Sequence, residues 1–515
     1  MTSRIFECWV SRVRWLTAPL LALVTVGQPA LQAMQPANIN LDYVSQIAEQ
    51  KAKEPFKEYP KAPDYLKELD YDAYRDIRFN SRRALWREEG LPFRIEFFHP
   101  GQFFQDIVKI NEFTASHVQE IRFVSDLFDY GRNDRLADRI PRPQGYAGIR
   151  VLYPINNPDV YDEVGVWLGA SYFRVLGRNQ HWGLSARGLA LNTGLDIGEE
   201  FPVFREFWLG KPQAGDTALT VYALLDSPSV SGAYKFVLTP GEMTTVDVRC
   251  RLFFRSEMPE VGITPFSSMY YFGENSFDPP TDFRPEVHDS DGIYIETGSG
   301  ERIWRPFVNE ARNRTSIFSL EGTPKGFGVM QRDRDFRNYQ DIEAHYHQRP
   351  SVWVEPKSDW GPGSVRVWEF LTDSETADNV AAFWTPKTPP VPNEAFELAY
   401  RLYWMMPHRN QDGFVSATRV GDSAFKEGIV EFVVDFQGKA LEELPPVTEI
   451  EGIVTVEKDA ELVEKIVQKN PYTNGWRLIL HVRKNKPEAG TAEMRAYLRQ
   501  GEETLTETWS YQWIW

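Results

Sequence analysis

The sequence predicts an all-β protein, and three observations lead to this prediction. Short runs rich in β-branched and aromatic residues dominate from residue 92 onward, clusters of Pro, Gly, Asn and Asp separate these runs, and long helices do not alternate with them. The pattern favours antiparallel strands packed as a sandwich over a parallel α/β sheet. No repeat with a fixed period is evident, which argues against a propeller.

Helix patterns are sparse and occur early. Residues 41–53 and 62–77 combine apolar residues at helical spacing with charged faces. The best strand patterns that follow are 93–99, 148–155, 164–175, 218–225 and 244–254. We therefore expect two early helices followed by a large antiparallel sandwich.

A proline-rich connector interrupts the strand patterns near Lys387. Residues 388–393 read Thr-Pro-Pro-Val-Pro-Asn, a composition that cannot continue a central strand. Further strand patterns follow at 396–405, 428–436, 475–483, 491–498 and 505–515. These strands have the number and spacing of an immunoglobulin-like sandwich. We predict an N-terminal domain over 34–387, a linker over 388–394 and an immunoglobulin-like domain over 395–515.

The composition limits the possible partners. The chain has 515 residues, 42% of them hydrophobic, which is enough for a large core. Asp and Glu number 73 against 57 Lys and Arg, so the formal charge is −16. This balance argues against nucleic acid and against an anionic membrane surface as partners. It suits a soluble protein with neutral or cationic ligands.

The first 33 residues have the pattern of a Sec-type signal peptide. Arg4, Arg12 and Arg14 precede an apolar run over 15–26, and small residues follow up to Ala33. The run is short for a membrane span, and no adjacent Arg pair marks a twin-arginine signal. Cleavage after Ala33 leaves one cysteine, so no intramolecular disulfide can form. We expect a periplasmic protein without a membrane span in its mature part.

The window 288–384 contains the best candidates for chemistry. It holds three acidic, turn-like clusters, namely 288–292 (His-Asp-Ser-Asp-Gly), 331–336 (Gln-Arg-Asp-Arg-Asp-Phe) and 375–379 (Glu-Thr-Ala-Asp-Asn). The same window contains tryptophans at positions 304, 353, 360, 368 and 384. Carboxylates beside aromatic faces and guanidinium groups are what a protein needs to bind and cleave a sugar chain.

Two of these clusters also have simpler interpretations. Asp289 is a candidate general base, but Asp-Gly pairs are common in hairpin turns. A calcium loop is a weaker alternative, because Gly300 stands where such a loop needs Glu. Asp378 is a candidate general acid, although Thr372 and Glu375 have the spacing of a capping box that would start a helix.

The third cluster and the tryptophans also have more than one interpretation. On an extended backbone, Arg332 and Arg334 would share one face, either as a solvated ion-pair row or as the lining of a groove. Trp304 either stacks on a sugar or fills the core. His345 and His347 lack a third ligand at a suitable spacing, so we predict no metal site. Motifs for nucleotide or cofactor binding and for serine hydrolases are missing, so we predict no cofactor, and paired carboxylates remain the main catalytic option.

Long phrases of the sequence resemble the periplasmic glucan biosynthesis protein G and D family (MdoG/OpgG) over nearly the whole mature chain. They are residues 151–156, 168–175, 183–190, 199–202, 223–228, 284–290, 303–306 and 507–511. The resemblance implies a galactose-mutarotase-like sandwich followed by an immunoglobulin-like sandwich. The missing twin-arginine signal favours the G-like branch.

The resemblance also implies inverting glycoside hydrolase chemistry on β-1,2-glucan. It assigns the general acid to Asp378 and the base to Asp289, with Asp291 as the other possible base, and it places Tyr346 in the cleft. Our candidates for binding the chain are Tyr346, Trp304, Arg332 and Asp291. An ordinary inverting site would separate the two carboxyl groups by roughly 6.5–9.5 Å.

Two alternatives to an endo-β-1,2-glucanase remain open at the level of sequence. One is a transglycosylase that uses the same acid with a sugar hydroxyl in place of water. The other is a non-catalytic glucan-binding protein that supports branching or export of the glucan. In each case the expected partners are β-1,2-glucan and membrane proteins of glucan synthesis.

Overall fold

Strands account for 48% of the chain and helices for 10% in a computed structural model, which confirms the predicted all-β class. The structure describes residues 39–140, 145–406 and 412–515. The predicted signal peptide, residues 1–33, lies outside these residues. The larger of the two sandwiches comes first, as the resemblance implies, and the smaller one follows.

The N-terminal sandwich contains the first 25 strands of the described residues. They are β1 (Arg78–Phe79), β2 (Arg94–Phe98), β3 (Lys109–Phe113), β4 (Val118–Glu120), β5 (Phe128–Asp129), β6 (Gly148–Asn157), β7 (Val160–Leu168), β8 (Tyr172–Val175), β9 (Ser185–Arg187), β10 (Leu189–Leu191), β11 (Val203–Gly210), β12 (Leu219–Asp226), β13 (Val230–Thr239), β14 (Thr244–Phe254), β15 (Val261–Ser268), β16 (Tyr270–Phe272), β17 (Val287–His288), β18 (Gly292–Glu296), β19 (Arg302–Pro306), β20 (Arg314–Leu320), β21 (Gly326–Met330), β22 (Ser351–Pro356), β23 (Gly363–Glu369), β24 (Val380–Pro386) and β25 (Ala395–Met405).

Two large sheets face each other in this sandwich. The first runs β2-β6-β7-β8-β9-β15-β24-β23-β20, and β10 also pairs with β15. The second runs β4-β3-β11-β12-β13-β14-β25-β22-β21-β18-β19. Aromatic side chains from both sheets meet between them: the ring of Trp167 lies 5.7 Å from that of Phe236, and Phe173 lies 6.1 Å from Trp404. The main core therefore lies between the two sheets.

The C-terminal sandwich contains the strands β26 (Phe414–Asp422), β27 (Ile429–Gln437), β28 (Glu451–Lys458), β29 (Ala460–Asn470), β30 (Gly475–Lys484), β31 (Thr491–Gln500), β32 (Glu503–Thr504) and β33 (Thr508–Ile514). A four-stranded sheet, β26-β27-β30-β29, faces the layer β28-β31-β33. Phe432 from the first layer packs against Tyr511 from the second at 5.4 Å. Parallel pairing of β19 with β33 joins this layer to the large sheet.

The predicted boundary at 388–394 is wrong in one respect. The strand after it, β25, pairs with β14 and β22 in the middle of the large sheet. The connector therefore links the two sheets of the N-terminal sandwich, from β24 to β25, and the C-terminal strands begin with β26. Proline stiffens a crossover between two sheets as readily as a linker between domains, so composition alone did not distinguish them.

The early helix predictions are partly confirmed. Helix α1 (Leu41–Ala52) matches the expected 41–53, and the side chain of Asn40 caps it by accepting from the Tyr43 amide at 2.9 Å. The second predicted helix is instead two short ones, α2 (Asp64–Lys67) and α3 (Tyr71–Arg75), because Asp70 starts a new cap between them. The other α-helices are α4 (Phe336–Tyr339) and α5 (Lys439–Glu442), and the 3₁₀ helices are Ser81–Arg83, Ser125–Leu127, Gly131–Arg139 and Tyr346–Gln348. Within the described residues, no helix combines the length and apolarity needed to cross a bilayer.

A buried ion pair fixes the junction between the two sandwiches. The guanidinium of Arg332 donates to both carboxylate oxygens of Glu507, at 2.5 and 3.1 Å, and also to the carbonyl of Val415 at 3.0 Å. The amide of Val415 donates to the same carboxylate at 2.8 Å. The Trp304 ring lies 3.6 Å from the guanidinium carbon and closes this site from the other side. The Glu507 side chain has no exposed surface, so neither charge can regain water if its partner is removed.

Removing the Glu507 carboxylate should therefore destabilise the whole fold. We expect Glu507→Ala to lower the free energy of unfolding by about 3–5 kcal/mol, because the Arg332 charge would remain buried and unpaired. Urea denaturation measures this change, and Glu503→Ala on the exposed strand β32 is the control. A loss below about 1 kcal/mol, the range of an exposed ion pair, would contradict this role of the junction.

Candidate functional site

Asp289 directly follows β17, and its side chain is buried. Its amide donates to the carbonyl of Met269 at 2.8 Å, and its carboxylate forms an ion pair with Arg349. Burial raises the pKa of Asp289 to about 6; Arg349 opposes this rise, and the charge of Asp378 adds to it. The carboxyls of Asp289 and Asp378 are therefore close enough to interact electrostatically.

Asp378 lies on the loop between β23 and β24, immediately before β24. The neighbouring Asn379 anchors this loop, since its side chain accepts from the Tyr270 amide and donates to the carbonyls of Tyr270 and Phe370, at 2.9–3.0 Å. The Asp378 side chain is open to solvent and makes no hydrogen bond or ion pair with the residues that the structure describes. Burial by the surrounding loops nevertheless raises its pKa, against the opposing charges of Arg174 and Arg349. A solvent-accessible carboxyl with much protein around it is typical of the wall of a cleft.

The loop that carries Asp378 does not begin a helix, so the capping-box interpretation is wrong. The hydroxyl of Thr372 accepts from the Ser374 amide at 3.1 Å, which closes a turn. Glu375 instead accepts from Arg284 at 2.7 Å and from the hydroxyl of Tyr346 at 3.2 Å. The carboxylate of Glu375 thus cross-links the loop instead of capping a helix.

Tyr346 contacts both Glu375, on the loop that carries Asp378, and Arg349, the partner of Asp289. Its ring is buried, its hydroxyl donates to Glu375, and the Arg349 guanidinium lies 4.3 Å from the ring centre. Arg284 binds Glu375 and also Asp341 at 3.0 Å. These contacts join the loops that follow β16, α4 and β23 into one cluster of side chains, which we call the candidate cleft.

His288 places a positive charge next to Asp289. Its two ring nitrogens lie 2.9 Å from the Gln331 side-chain oxygen and 2.8 Å from Glu286. Burial by itself would lower the pKa of His288, but the hydrogen bond and charge of Glu286 raise it to about 9. The imidazolium at neutral pH lowers the pKa of Asp289.

Asp291 has a different environment from Asp289. One carboxylate oxygen accepts from the amides of Arg332 and Asp333, at 2.8 and 3.0 Å, and the other is buried without a partner in the described residues. Burial raises its pKa, and the charge of His288 lowers it. Asp291 therefore anchors the chain after β21, while Asp289 holds Arg349.

The structure does not bring Trp304 and Arg332 to the Asp289–Asp378 cleft. Trp304 is 4% exposed, and its ring packs against Gly292 and the Arg332 guanidinium, so it has no free face for a sugar. Arg332 is committed to Glu507 at the junction. The sugar-binding role predicted for these two residues does not fit these positions, and core filling was the correct alternative for Trp304.

The charged row predicted at 331–336 is also wrong. Strand β21 ends at Met330, and the chain then turns inward toward α4, so the side chains do not alternate on an extended strand. Arg334 is enclosed and donates to the carbonyls of His347 and Arg349. Asp335 caps α4 by accepting from the Arg337 amide at 2.9 Å. Backbone carbonyls in the turn need these guanidinium donors, which a pattern of charges does not reveal.

A row of small side chains leads away from Asp378 on the outward face of the first sheet. Ser185, Ser267, Ala381 and Trp368 are successive cross-strand partners on β9, β15, β24 and β23. Their chain neighbours, such as Phe266 and Ala382, lie in the core, so this row faces outward. The row forms a shallow floor with an aromatic ring at one end.

Sequence reasoning missed several side chains that complete this cleft. Arg349 and Arg284 lie in loops, where a single Arg gives no recognisable pattern. Arg174 on β8 stands above the ring of Trp182 at 5.4 Å. The alternation of β8 predicts one outward face for Arg174, but not which other loops meet that face.

Three histidines lie beside Arg349 without forming a metal site. The rings of His181 and His345 stack at 4.2 Å, and His347 lies 6.1 Å from His345. Across the described ranges, no group of three or more His, Cys, Asp or Glu side chains is arranged to share an ion.

The pKa of Asp289 should make the stability of the protein depend on pH. The folded-state value of about 6 exceeds the ordinary value of 3.8, so the stabilising contribution is full below pH 4 and is lost as the pH rises through 6. Between pH 4 and 7, we expect the unfolding free energy of the wild type minus that of Asp289→Asn to fall by about 2–3 kcal/mol. Urea denaturation at several pH values measures it, and a constant difference would contradict the raised pKa.

Comparison with known proteins assigns this architecture to a family. The model of the family described as "Periplasmic glucan biosynthesis protein, MdoG" matches residues 39–513. Glucans biosynthesis protein G of Ralstonia nicotianae is 45% identical over 95% of this chain and 99% of its own length. Glucans biosynthesis protein G of Sodalis glossinidius is 43% identical over 97% of this chain and 96% of its own length. The chain therefore belongs to the MdoG family of periplasmic glucan biosynthesis proteins.

Proposed function

We propose that the protein acts in periplasmic glucan biosynthesis as an inverting glycoside hydrolase of the endo-β-1,2-glucanase type. One observation carries this proposal: the carboxyls of Asp378 and Asp289 come from distant parts of the chain but are close enough to interact, and the charge of Arg349 acts on both. The names of the relatives support a glucan as the substrate class. The β-1,2 linkage rests on the family resemblance.

Asp378 is suited to be the general acid. It is accessible to a substrate, has no ion-pair partner among the described residues, and burial raises its pKa. A bound glucan would remove more water and raise the pKa further, which keeps the proton on the carboxyl until the glycosidic oxygen needs it.

Asp289 is suited to be the base. Its ion pair with Arg349 and the nearby His288 charge both favour the ionised carboxylate. Two carboxyls that interact lose their protons one after the other, so the direct cation partner places the negative charge on Asp289 and the remaining proton on Asp378.

The proposed reaction delivers one proton to the leaving glycosidic oxygen and removes one proton from the attacking water. Asp378 gives its proton to the glycosidic oxygen as the bond from that oxygen to the anomeric carbon breaks. Water attacks the anomeric carbon from the opposite face, which inverts its configuration. The proton lost by this water passes to Asp289, either directly or through the hydroxyl of Tyr346, whose bond to Glu375 would then be exchanged for one to substrate or water. After the reaction Asp378 is ionised and Asp289 is protonated, and proton exchange with solvent restores the starting state of both carboxyls.

Two aromatic rings support an extended substrate. Trp368, at the end of the row on the first sheet, and Trp182 are both partly exposed. Sugar rings stack on such faces through their C–H groups, while hydroxyls bind to Arg and Ser. An endo-acting enzyme needs a groove that is open at both ends.

Replacing Asp378 should abolish most of the activity. We expect Asp378→Asn to lower kcat on β-1,2-glucan by about 10²–10⁴-fold, because the amide has no proton to donate to the leaving oxygen. Asp373→Asn, on an exposed side chain of the same loop, is the matched control and should retain activity. Chain length and reducing ends are followed over time.

The same assay separates the competing functions. New linkages or rings without a rise in reducing ends would indicate transglycosylation. Saturable binding of β-1,2-glucan by wild type and Asp378→Asn, with no change in chain length, would replace the hydrolase proposal with a binding function. Equal turnover by Asp378→Asn and wild type would remove Asp378 from its role.

Tyr346 should influence the chemical step more than binding. We expect Tyr346→Phe to lower kcat by about tenfold or more with little change in KM, because the ring stays in place and only the hydroxyl is lost. Tyr472→Phe, at a fully exposed position of the C-terminal sandwich, is the control. A rise in KM with an unchanged kcat would assign Tyr346 to substrate binding alone.

A further inference from the structure

Two cations stand opposite each other on the outward face of the large sheet. Lys235 on β13 is the direct cross-strand partner of Arg249 on β14, and Tyr222 and Ala399 extend the same row on either side. Like charges at directly opposed positions repel each other. Within the described part of the chain, neither Lys235 nor Arg249 has a carboxylate partner. The nearest aromatic contact is weak, with the Lys235 ammonium 6.0 Å from the Tyr222 ring.

In the neighbouring rows of the same sheet, each Arg is opposed to a carboxylate instead of a second cation. Arg251 is opposed to Glu397 and is bound to it and to Asp42. Arg401 is opposed to Asp247 and binds both of its carboxylate oxygens at 2.7 Å. Asp247 is thus matched by one Arg, whereas Asp42 and Glu397 share Arg251, so the three nearby carboxylates are bound to cations other than Lys235 and Arg249. Two positive charges remain without a counterion on a chain whose formal charge is −16.

The two cations also lie where two grooves meet. Cavities of about 410 and 420 Å³ share Lys235, Arg249 and Ala399 in their walls. The small side chain of Ala399 leaves the space between them open. The start of α1, residues 40–42, closes the first groove. Each volume suits a small molecule.

The geometry points to a binding site for a small phosphorylated ligand, with its phosphate held between Lys235 and Arg249. A phosphate monoester carries close to two negative charges, which matches the two unpaired cations. Arg offers a planar fork and Lys a point charge, a combination that binds phosphate well. The wall of the first groove also carries the hydroxyl groups of Tyr222 and Ser358, which can bind a hydroxylated body attached to the phosphate. The site lies on the other sheet from the floor that leads to Asp378, so it does not depend on the proposed hydrolysis.

Calorimetry on the full chain tests this site with defined probes at constant ionic strength. Inorganic phosphate and glucose 6-phosphate should bind saturably, whereas glucose should not. We expect Lys235→Gln and Arg249→Gln each to weaken binding about tenfold or more, since each removes a charge-assisted contact. Lys325→Gln, a cation exposed elsewhere and paired with Glu296, should leave the affinity unchanged. Vesicles of phosphatidylcholine with and without phosphatidic acid show whether a lipid can supply the phosphate.

A charge reversal provides the second, independent readout. Lys235→Glu puts a carboxylate opposite Arg249, so it should raise the Tm of the ligand-free protein while it abolishes phosphate binding. Phosphate should raise the Tm of the wild type only. The inference is overturned if neither phosphate probe nor phosphatidic acid vesicles bind, if Lys235→Glu binds as the wild type does, or if Lys235→Glu lowers the Tm. Binding to the vesicles alone would identify the source as a lipid headgroup.

Discussion

The cleft depends on the guanidinium of Arg349. It pairs with Asp289, lies 4.3 Å from the centre of the Tyr346 ring and donates to the carbonyl of Ala344 at 3.1 Å. Burial raises the pKa of both Asp289 and Asp378, because a desolvated carboxylate is less stable than the neutral carboxyl group. Arg349 opposes burial at both, but it contacts only Asp289. The Arg349 charge thus gives the two carboxyls different surroundings.

Hydrogen bonds to the backbone hold the segments around the Arg349 guanidinium in place. Asn379 fixes the start of β24 next to Asp378 through hydrogen bonds to the backbone of Tyr270 and Phe370. Gln331 holds the backbone carbonyls of His288 and Tyr346, at 2.9 and 3.2 Å, from its position at the end of β21. The candidate acid, base and tyrosine are therefore held by strand ends, although each lies on a loop or at its edge. Such attachment keeps the geometry that proton transfer needs.

Local sequence patterns predicted the positions of the strands well, but they did not predict which strands pair with each other. The expected strand at 244–254 coincides with β14, because alternation and β-branched residues mark a strand regardless of its partners. The place of β25 in the large sheet was missed, since pairing with β14 and β22 depends on residues far away in the chain. Asp289 and Asp378 were singled out from acidic clusters and Tyr346 from the resemblance, and all three stay predictions as site residues, whereas Arg349 has no sequence pattern of its own. Trp304 and Arg332 were misplaced, because burial at a junction follows from the partner Glu507, which is about 170 positions away.

The parallel pairing of β19 with β33 constrains how the chain can acquire its structure. Of the described strands, β33 is the last to leave a ribosome or a translocation pore, yet it lies between β19 and β31. Until it arrives, β19 presents an unpaired edge and the Arg332 pocket lacks Glu507. Folding from the N-terminus onward therefore cannot finish early, and the large sheet can close only after nearly the whole polypeptide has emerged. Until then the unpaired edge of β19 is open to wrong partners, so the last described strand decides when the fold becomes complete.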